Sequence, residues 1–516
     1  MQDYVTYEDF GAVGDGRCDD LAAIVRAHAY ANAHGLPVRT RPDAVYYIGA
    51  GAEASAEAPA KAAVIRTPTD WSTSRFVIDD RQTERYDADI FMIEPEGAWV
   101  SLPLPPLRKG QTHIDLAACG ITLSSDMYVT VTSDEKMQYI RYGGNQDSGS
   151  PQTDSFILTA AGDILSGINW DYTRLTTVRA IPLDAEPLTV RGGHFVTIAN
   201  QAESRYTYYG RGICVRRSNV TVENVSHTVE GEGDHGAPYR GFFSFEHCAH
   251  AVLKDCHVSG HKIYTTIGSA GVPVQMGSYD INCYAVIDIR FLGVRQDEIL
   301  DRSRWGVFGS NFCKQILFDG CVISRSDAHC GVRGYTIRNS VMGWMGTNTI
   351  GFGEMLMENC TCYGRYLVGF REDYGCTWDG DLTLRHILWI PQPGTCLEPV
   401  MLHAHNEGQH DFGYPCTLPH RITIEDVTVV DTNTPPFCPG VRVFEDFDPH
   451  GAADTPAEPY PLGRPDELII RGLRTVSGRP VIICDNMALL PDMKVTINSD
   501  MQICDKVQMP RNMMDQ

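Results

Sequence analysis

Tyr7-Glu8-Asp9-Phe10-Gly11-Ala12-Val13-Gly14-Asp15-Gly16, followed two residues later by Asp19-Asp20-Leu21-Ala22-Ala23-Ile24, is the stretch on which the fold turns. It reads as a short strand, a glycine-rich turn and the start of a helix. Asp19 or Asp20 can cap that helix, because a carboxylate there accepts the unpaired N–H groups of the first turn. Leu21, Ile24, Val25, His28 and Ala31 then fall on one face, and Gly35-Leu36-Pro37 ends the helix. One amphipathic helix is thus offered to an apolar surface. Gly14 and Gly16 do not make a phosphate-binding loop, since the spacing is wrong and no Lys-Ser/Thr pair follows.

These residues resemble the opening of the pectate-lyase superfamily of right-handed parallel β-helix proteins, which includes pectate-lyase-like, rhamnogalacturonase-like and tailspike members. In that family the glycine-rich segment and the helix close the N-terminal end of a solenoid. The resemblance covers about the first 35 residues. It implies an all-β fold, a right-handed parallel β-helix with an N-terminal capping helix, and brings with it no catalytic residue.

Internal coils can be sought independently. A three-point apolar pattern recurs nine times: Val220/Val222/Val225, Ala251/Leu253/Cys256, Ile287/Ile289/Leu292, Ile316/Phe318/Cys321, Tyr335/Ile337/Ser340, Met355/Met357/Cys360, Leu382/Leu384/Ile387, Ile422/Ile424/Val427 and Leu468/Ile470/Leu473. Its middle residues lie 19 to 46 residues apart, the scatter of coils that carry loops of different length. The first two positions alternate as a strand does. A polar or turn residue (Asn224, Asp255, Gly320, Asn339, Asn359, Asp426, Gly472) then bends the chain before the third. Cys256, Cys321 and Cys360 share one position, which reads as a column of small buried hydrophobes in preference to a metal site.

Residues 99–185 look different. The segments 128–131, 138–142, 156–158 and 175–178 alternate and are separated by Gly, Asn and Ser clusters, as an antiparallel subdomain would be, and Leu102-Pro103-Leu104-Pro105-Pro106 leads into it. The expected organisation is a cap with first coils over 1–98, the inserted β-subdomain over 99–185, the main β-helix over 186–500, and a Met-rich tail over 501–516. Residues 447–465 read as an extended excursion.

Composition narrows the function. The chain has 516 residues, 43% hydrophobic and 21% charged, with a net charge of −22, so a large core is available and a nucleic-acid or anionic-membrane surface is not expected. No run approaches a spanning helix. The 17 Cys lack CxxC pairs, and the start carries no basic or apolar leader, which suggests a reducing, cytoplasmic setting, or a secreted chain whose signal has been removed.

Loops on a rigid solenoid are where chemistry is usually placed. Those between residues 231 and 333 hold a concentration of basic, His and Tyr side chains despite the acidic chain. In a β-elimination at a uronate, Lys262, Arg302, Arg304, Lys314, Arg325 and Arg333 would neutralise the carboxylate, and His235, Tyr264 or His329 would move the proton. A glycosidase would need two carboxyl groups, for which Asp280, Asp297, Asp301 and Asp327 are candidates. Each has a plainer reading. Asp327 is equally suited to capping a turn, His329 to a structural role, Asp301 with Arg302 and Arg304 to a surface ion-pair set, and Trp305 to packing as much as to stacking on a sugar. Glu232, Asp234 and His235 supply too few oxygens for Ca²⁺ on their own, so no cofactor is called for, with Ca²⁺ the one ion left open.

The polygalacturonase-like set of Asn-Thr-Asp, Asp-Asp, Gly-His-Gly and Arg-x-Lys is absent in coil order, as is the calcium cluster of pectate lyases. The expectation is therefore a carbohydrate-active enzyme on an oligo- or polysaccharide, with β-elimination placed slightly ahead of hydrolysis and a non-catalytic glycan-binding, tailspike-like protein as the rival. Monomer, trimer and other homo-oligomers stay open. Asp327→Asn and His329→Ala are expected to abolish turnover at an unchanged melting temperature.

Overall fold

The computed structural model describes residues 3–49, 62–83, 86–141, 146–205, 208–267, 273–306, 309–391, 399–404, 410–445, 460, 462–484 and 493–498. The expected tail over 501–516 and most of the excursion, residues 447–459 and 461, lie outside them. The chain winds into a right-handed parallel β-helix whose coils pass in turn through three parallel sheets.

The apolar triplets build two of those sheets. Val222 pairs with Leu253, and the column continues through Phe291, Phe318, Ile337, Met357, Leu384, Ile424 and Ile470, all buried. One expected register is corrected. Leu253 stands beside Phe291, so the third coil uses Ile289/Phe291/Val294 where Ile287/Ile289/Leu292 was expected. The segment Ile287–Leu292 alternates along its whole length, and periodicity alone cannot choose between pairings two residues apart.

The bends lie where the sequence placed them. Asn224, Asp255, Gly320, Asn339, Asn359, Asp426 and Gly472 all adopt left-handed φ between 49° and 80°, as do Gly293 and His386 in the remaining coils. Asn, Asp and Gly tolerate that region best, so one residue type per coil turns the chain from the first sheet into the second. Just beyond the bend, Cys256, Cys321 and Cys360 alternate with Val225, Val294 and Ser340 in a buried column. Burial pushes the Cys256 and Cys360 thiols up to about 12 and that of Cys321 up to about 11, so they pack as neutral hydrophobes.

At the N-terminus the helix Leu21–His34 packs Leu21, Ala23, Ile24, Ala27, His28 and Ala31 against the first coils, with Val25 half-buried, and ends at Gly35 with φ 64°. Of the two capping candidates, Asp19 accepts the Leu21 N–H at 3.0 Å. Asp20 turns back to accept the N–H groups of Val13 and Gly14, fastening the glycine turn. The Tyr7 hydroxyl is hydrogen-bonded to His28 Nε2 at 2.9 Å and accepts from Trp71 at 2.8 Å, while burial drives His28 down to about 3, a neutral core ring.

The inserted strands form a four-stranded antiparallel sheet, and the expected segment 128–131 and residues 138–141 of the expected segment 138–142 are parts of one strand, Met127–Arg141, residue 142 lying outside the described residues. It pairs with Gln146–Leu158, and Thr177–Pro182 and Ile164–Leu165 complete the sheet. The subdomain is clamped to the solenoid flank. Buried Asp154 pairs with Lys314 at 2.5 Å, Trp170 packs edge-on between Phe352 and Tyr414, and the Gln138 amide donates to the Cys330 carbonyl at 2.6 Å.

The third sheet positions the candidate site. Its register runs Cys214, Ser244, Asn282, Gly309, Asp327, Asn348, Gly369, His403. Residues 325–329, expected in a loop, are instead strand. In the two shortest coils no surplus residues are left for loops, so Val322–Arg338 and Val341–Cys362 run through the corners, where their register shifts.

Candidate functional site

Strand alternation sorts the residues of Val322–Arg338. Ser326 and Ala328 face the core, where the Ser326 and Tyr335 hydroxyls are bonded, while Arg325, Asp327 and His329 share the opposite, outer face. There Arg325 and Asp327 form an ion pair, and the Arg325 guanidinium lies 4.3 Å from the centre of the Trp305 ring. Arg371 arrives from a coil further along. Its Nη1 reaches both Asp327 oxygens at 3.3 Å, and its Nε and Nη2 grip Asp373 at 2.8 and 2.7 Å. His329 Nδ1 lies 3.5 Å from Asp327, and its ring packs 5.3 Å from that of Tyr374.

The electrostatics follow from this packing. Burial pushes the Asp327 carboxyl up, but Arg325, Arg371 and His329 outweigh it and hold the group far below the usual carboxylate range. Burial pulls His329 down, but Cys330 and Asp327 outweigh it and raise the imidazole well above its ordinary value. Exposure separates the four charged groups: the side chains of Asp327 and Arg325 are 1% and 4% exposed, those of His329 and Arg371 17% and 21%. The site thus shows solvent one imidazole, one guanidinium and the Asp373 carboxylate paired with it, over the sealed Asp327. Arg371, Asp373 and Tyr374 were not foreseen. They follow the short strand Tyr366–Phe370 in a charged run, Arg371-Glu372-Asp373-Tyr374, with no local mark that it folds back over Asp327.

The other expected site residues lie elsewhere. Asp280 is fully buried, its two carboxylate oxygens without a hydrogen-bond partner among the described residues, and its Oδ1 stands 3.8 Å from both His227 Nδ1 and His261 Nε2. His261 in turn bonds Glu232 at 3.0 Å and stacks on Tyr239, whose hydroxyl donates to buried Asp80. Tyr264 is buried beside Gly236 in the hairpin of Tyr264–Ile267 and Pro273–Met276. The Lys262 Nζ donates to the Glu232 carbonyl. His235 and Asp234 are exposed on the neighbouring loop.

Asp301 caps its own turn, accepting the N–H and hydroxyl of Ser303 at 2.8 Å, and Arg304 is held by Glu298 and Asp301 while Arg302 is exposed. Asp297 pairs with His257. Lys314, expected to face substrate, is 1% exposed and tied to Asp154 and the Gly167 carbonyl, so it fastens the insert to the solenoid and is shut away from any ligand. Arg333 also turns to the insert, donating to Asn169 at 3.2 Å. Among the described residues no three His, Cys, Asp or Glu are placed to hold a metal ion, and no helix is long and apolar enough to cross a membrane.

No family model matches the chain, and no curated protein sequence matches it significantly. Solved structures do. The Pseudomonas phage phi297 tailspike gp61 superposes with a TM-score of 0.54 at 12% identity, over 96% of this chain and 84% of that one. The tailspike gp49 from Pseudomonas phage LKA1 gives 0.49 at 14% identity over 92% and 82%. The gp54 tailspike of Acinetobacter baumannii bacteriophage AP22, solved in complex with A. baumannii capsular saccharide, gives 0.49 at 10% over 96% and 76%. The likeness to the phi297 tailspike bears on the fold alone, a parallel β-helix.

Proposed function

On a pectate-lyase-superfamily solenoid, we propose that the outer face of the third sheet binds an acidic polysaccharide and cleaves it by β-elimination at His329 and Arg371. The observation that carries this reading is the exposure pattern. A hydrolase needs a carboxyl group that touches the glycosidic oxygen or the attacking water, and Asp327 is sealed beneath its two arginines. His329 and Arg371 reach solvent, as an elimination needs, and the one carboxylate exposed beside them, Asp373, is tied up by Arg371.

All three Arg371 nitrogens contact Asp373 or Asp327, and the solvent-facing part of the guanidinium is suited to a uronate carboxylate, whose neutralisation acidifies the C5 proton. Neutral His329 takes that proton, the C4–O4 bond breaks with its electron pair on O4 as a C4–C5 double bond forms, and the imidazolium so made, or a solvent water, protonates the departing oxygen. Asp327 touches no substrate. It positions both partners and sets the imidazole's proton affinity. Because the imidazole is held protonated well above its ordinary value, its base form is populated only as pH rises through that raised value, and the rate rises with it.

The test is incubation with uronate-containing and neutral oligosaccharides, following the ultraviolet absorbance of an unsaturated uronate together with new reducing ends. Absorbance growth that strengthens toward alkaline pH is the expected result. New reducing ends without absorbance would make the protein a hydrolase, and binding with neither would make it a glycan-binding protein of tailspike type.

A further inference from the structure

A row of rings runs along the corner where the third sheet turns toward the first. Trp99, His247, Tyr284 and Phe312 follow one another with centroid separations of 6.0, 5.2 and 5.5 Å, each edge-on to the next, and all four are half-exposed. The backbone sets this spacing. The His247 N–H donates to the Tyr284 carbonyl and the Ala285 N–H to the Asn311 carbonyl, so the last three rings come from successive stacked coils. His247 and Phe312 hold left-handed φ of 51° and 56°, an unusual conformation for side chains of this size.

The row is not only apolar. Arg179 lies 4.5 Å from the centre of the Trp99 ring, while His247 Nδ1 and Asn311 Oδ1, without a hydrogen-bond partner among the described residues, are buried beneath the row. Asn311 sits two residues beyond Gly309, the register partner of Asp327, so the row leads up to the coil that holds His329.

We propose that Trp99, His247, Tyr284 and Phe312 form a remote binding track for the sugar residues on one side of the scissile bond, so that the glycan runs along the solenoid axis toward His329. Ring faces accept the C–H faces of pyranoses. The track deepens the reading of the groove given above and rests on it for the position of the reacting sugar. Binding energy collected there, away from the reacting atoms, is what a long substrate would have and a short one would lack.

Calorimetry on the His329→Ala protein, chosen to suppress turnover, tests this with galacturonate and mannuronate dimers and hexamers and a neutral cellohexaose. Hexamer affinity is expected to exceed dimer affinity, and Tyr284→Leu or Phe312→Leu to weaken the hexamer roughly fivefold while leaving the dimer unchanged. Tyr284→Phe keeps the ring and should retain the affinity, which separates ring loss from misfolding. Unchanged hexamer binding in both leucine variants overturns the track while leaving the elimination reading intact. Ring-dependent binding in a wild-type protein that forms no unsaturated product overturns the elimination and leaves the track. Failure of every oligosaccharide to bind overturns the track as well.

Discussion

Two clusters of nearly the same chemistry lie in one solenoid. The outer one joins Asp327 to Arg325, Arg371, His329 and Tyr374, and the inner one joins Asp280 to His227 and His261, with Tyr239, Asp80 and Arg211 behind them. The inner cluster is at least as rich in titratable groups, and burial lifts the Asp80 carboxyl up to about 6. Its members are 5% exposed or less, however, and His227 lies flat on Phe242 at 3.9 Å. The outer cluster keeps one imidazole and one guanidinium in contact with solvent. Residue type and a shifted pKa mark both clusters, and access to a substrate distinguishes them.

Substitutions can break that comparison, beginning with Asp327→Ala. It leaves Arg325 and Arg371 facing each other without their shared carboxylate, so a loss of about 3–5 kcal/mol is expected in denaturant unfolding. The expectation of an unchanged melting temperature for Asp327→Asn is therefore revised to a clear fall. The sign with pH is fixed by the depressed carboxyl: its contribution is complete above the unfolded value of 3.8 and is lost only as pH falls toward the folded one. An Asp327→Ala protein as stable as wild type would mean that the pairing contributes nothing net.

The inner cluster should respond to pH in the opposite sense and more weakly. Burial pulls His261 down, but Asp280 and Glu232 outweigh it and raise it above its unfolded value. A raised imidazole contributes fully below the unfolded value of 6.5, and that contribution is lost as pH rises through the folded one. A shallow decline in melting temperature above neutrality is expected, and Asp280→Asn should flatten it. A decline that persists in that variant would place its source elsewhere. The smallest expected effect is that of Asp280→Asn on turnover, which should stay within about twofold of wild type, because Asp280 is buried and contacts neither His329 nor Arg371.

Much of the scaffold was legible because a solenoid repeats its instructions. Each coil carries the same alternation, and the residue that bends it is Asn, Asp or Gly in eight of the nine coils, with His386 the exception. The slip at Ile287–Leu292 came where that punctuation sits beyond an unbroken alternation. The site was less legible. Arg325, Asp327 and His329 could be picked out because they lie together, but Arg371 and Tyr374 join them across the stack from beyond the next coil. Nor does sequence say which side of a strand is covered. Lys314 looked like a free cation until the insert closed over it, and Asp280 looked like Asp327.

The most direct test of the account sets the two clusters side by side, measuring release of unsaturated uronate by wild type, His329→Ala and Asp280→Asn across a pH series. Loss of roughly 10²–10⁴-fold in His329→Ala with Asp280→Asn near wild type, and a wild-type rate that climbs with pH, is the expected result. Full activity in His329→Ala, or its loss in Asp280→Asn alone, would contradict the assignment of the chemistry to the outer face.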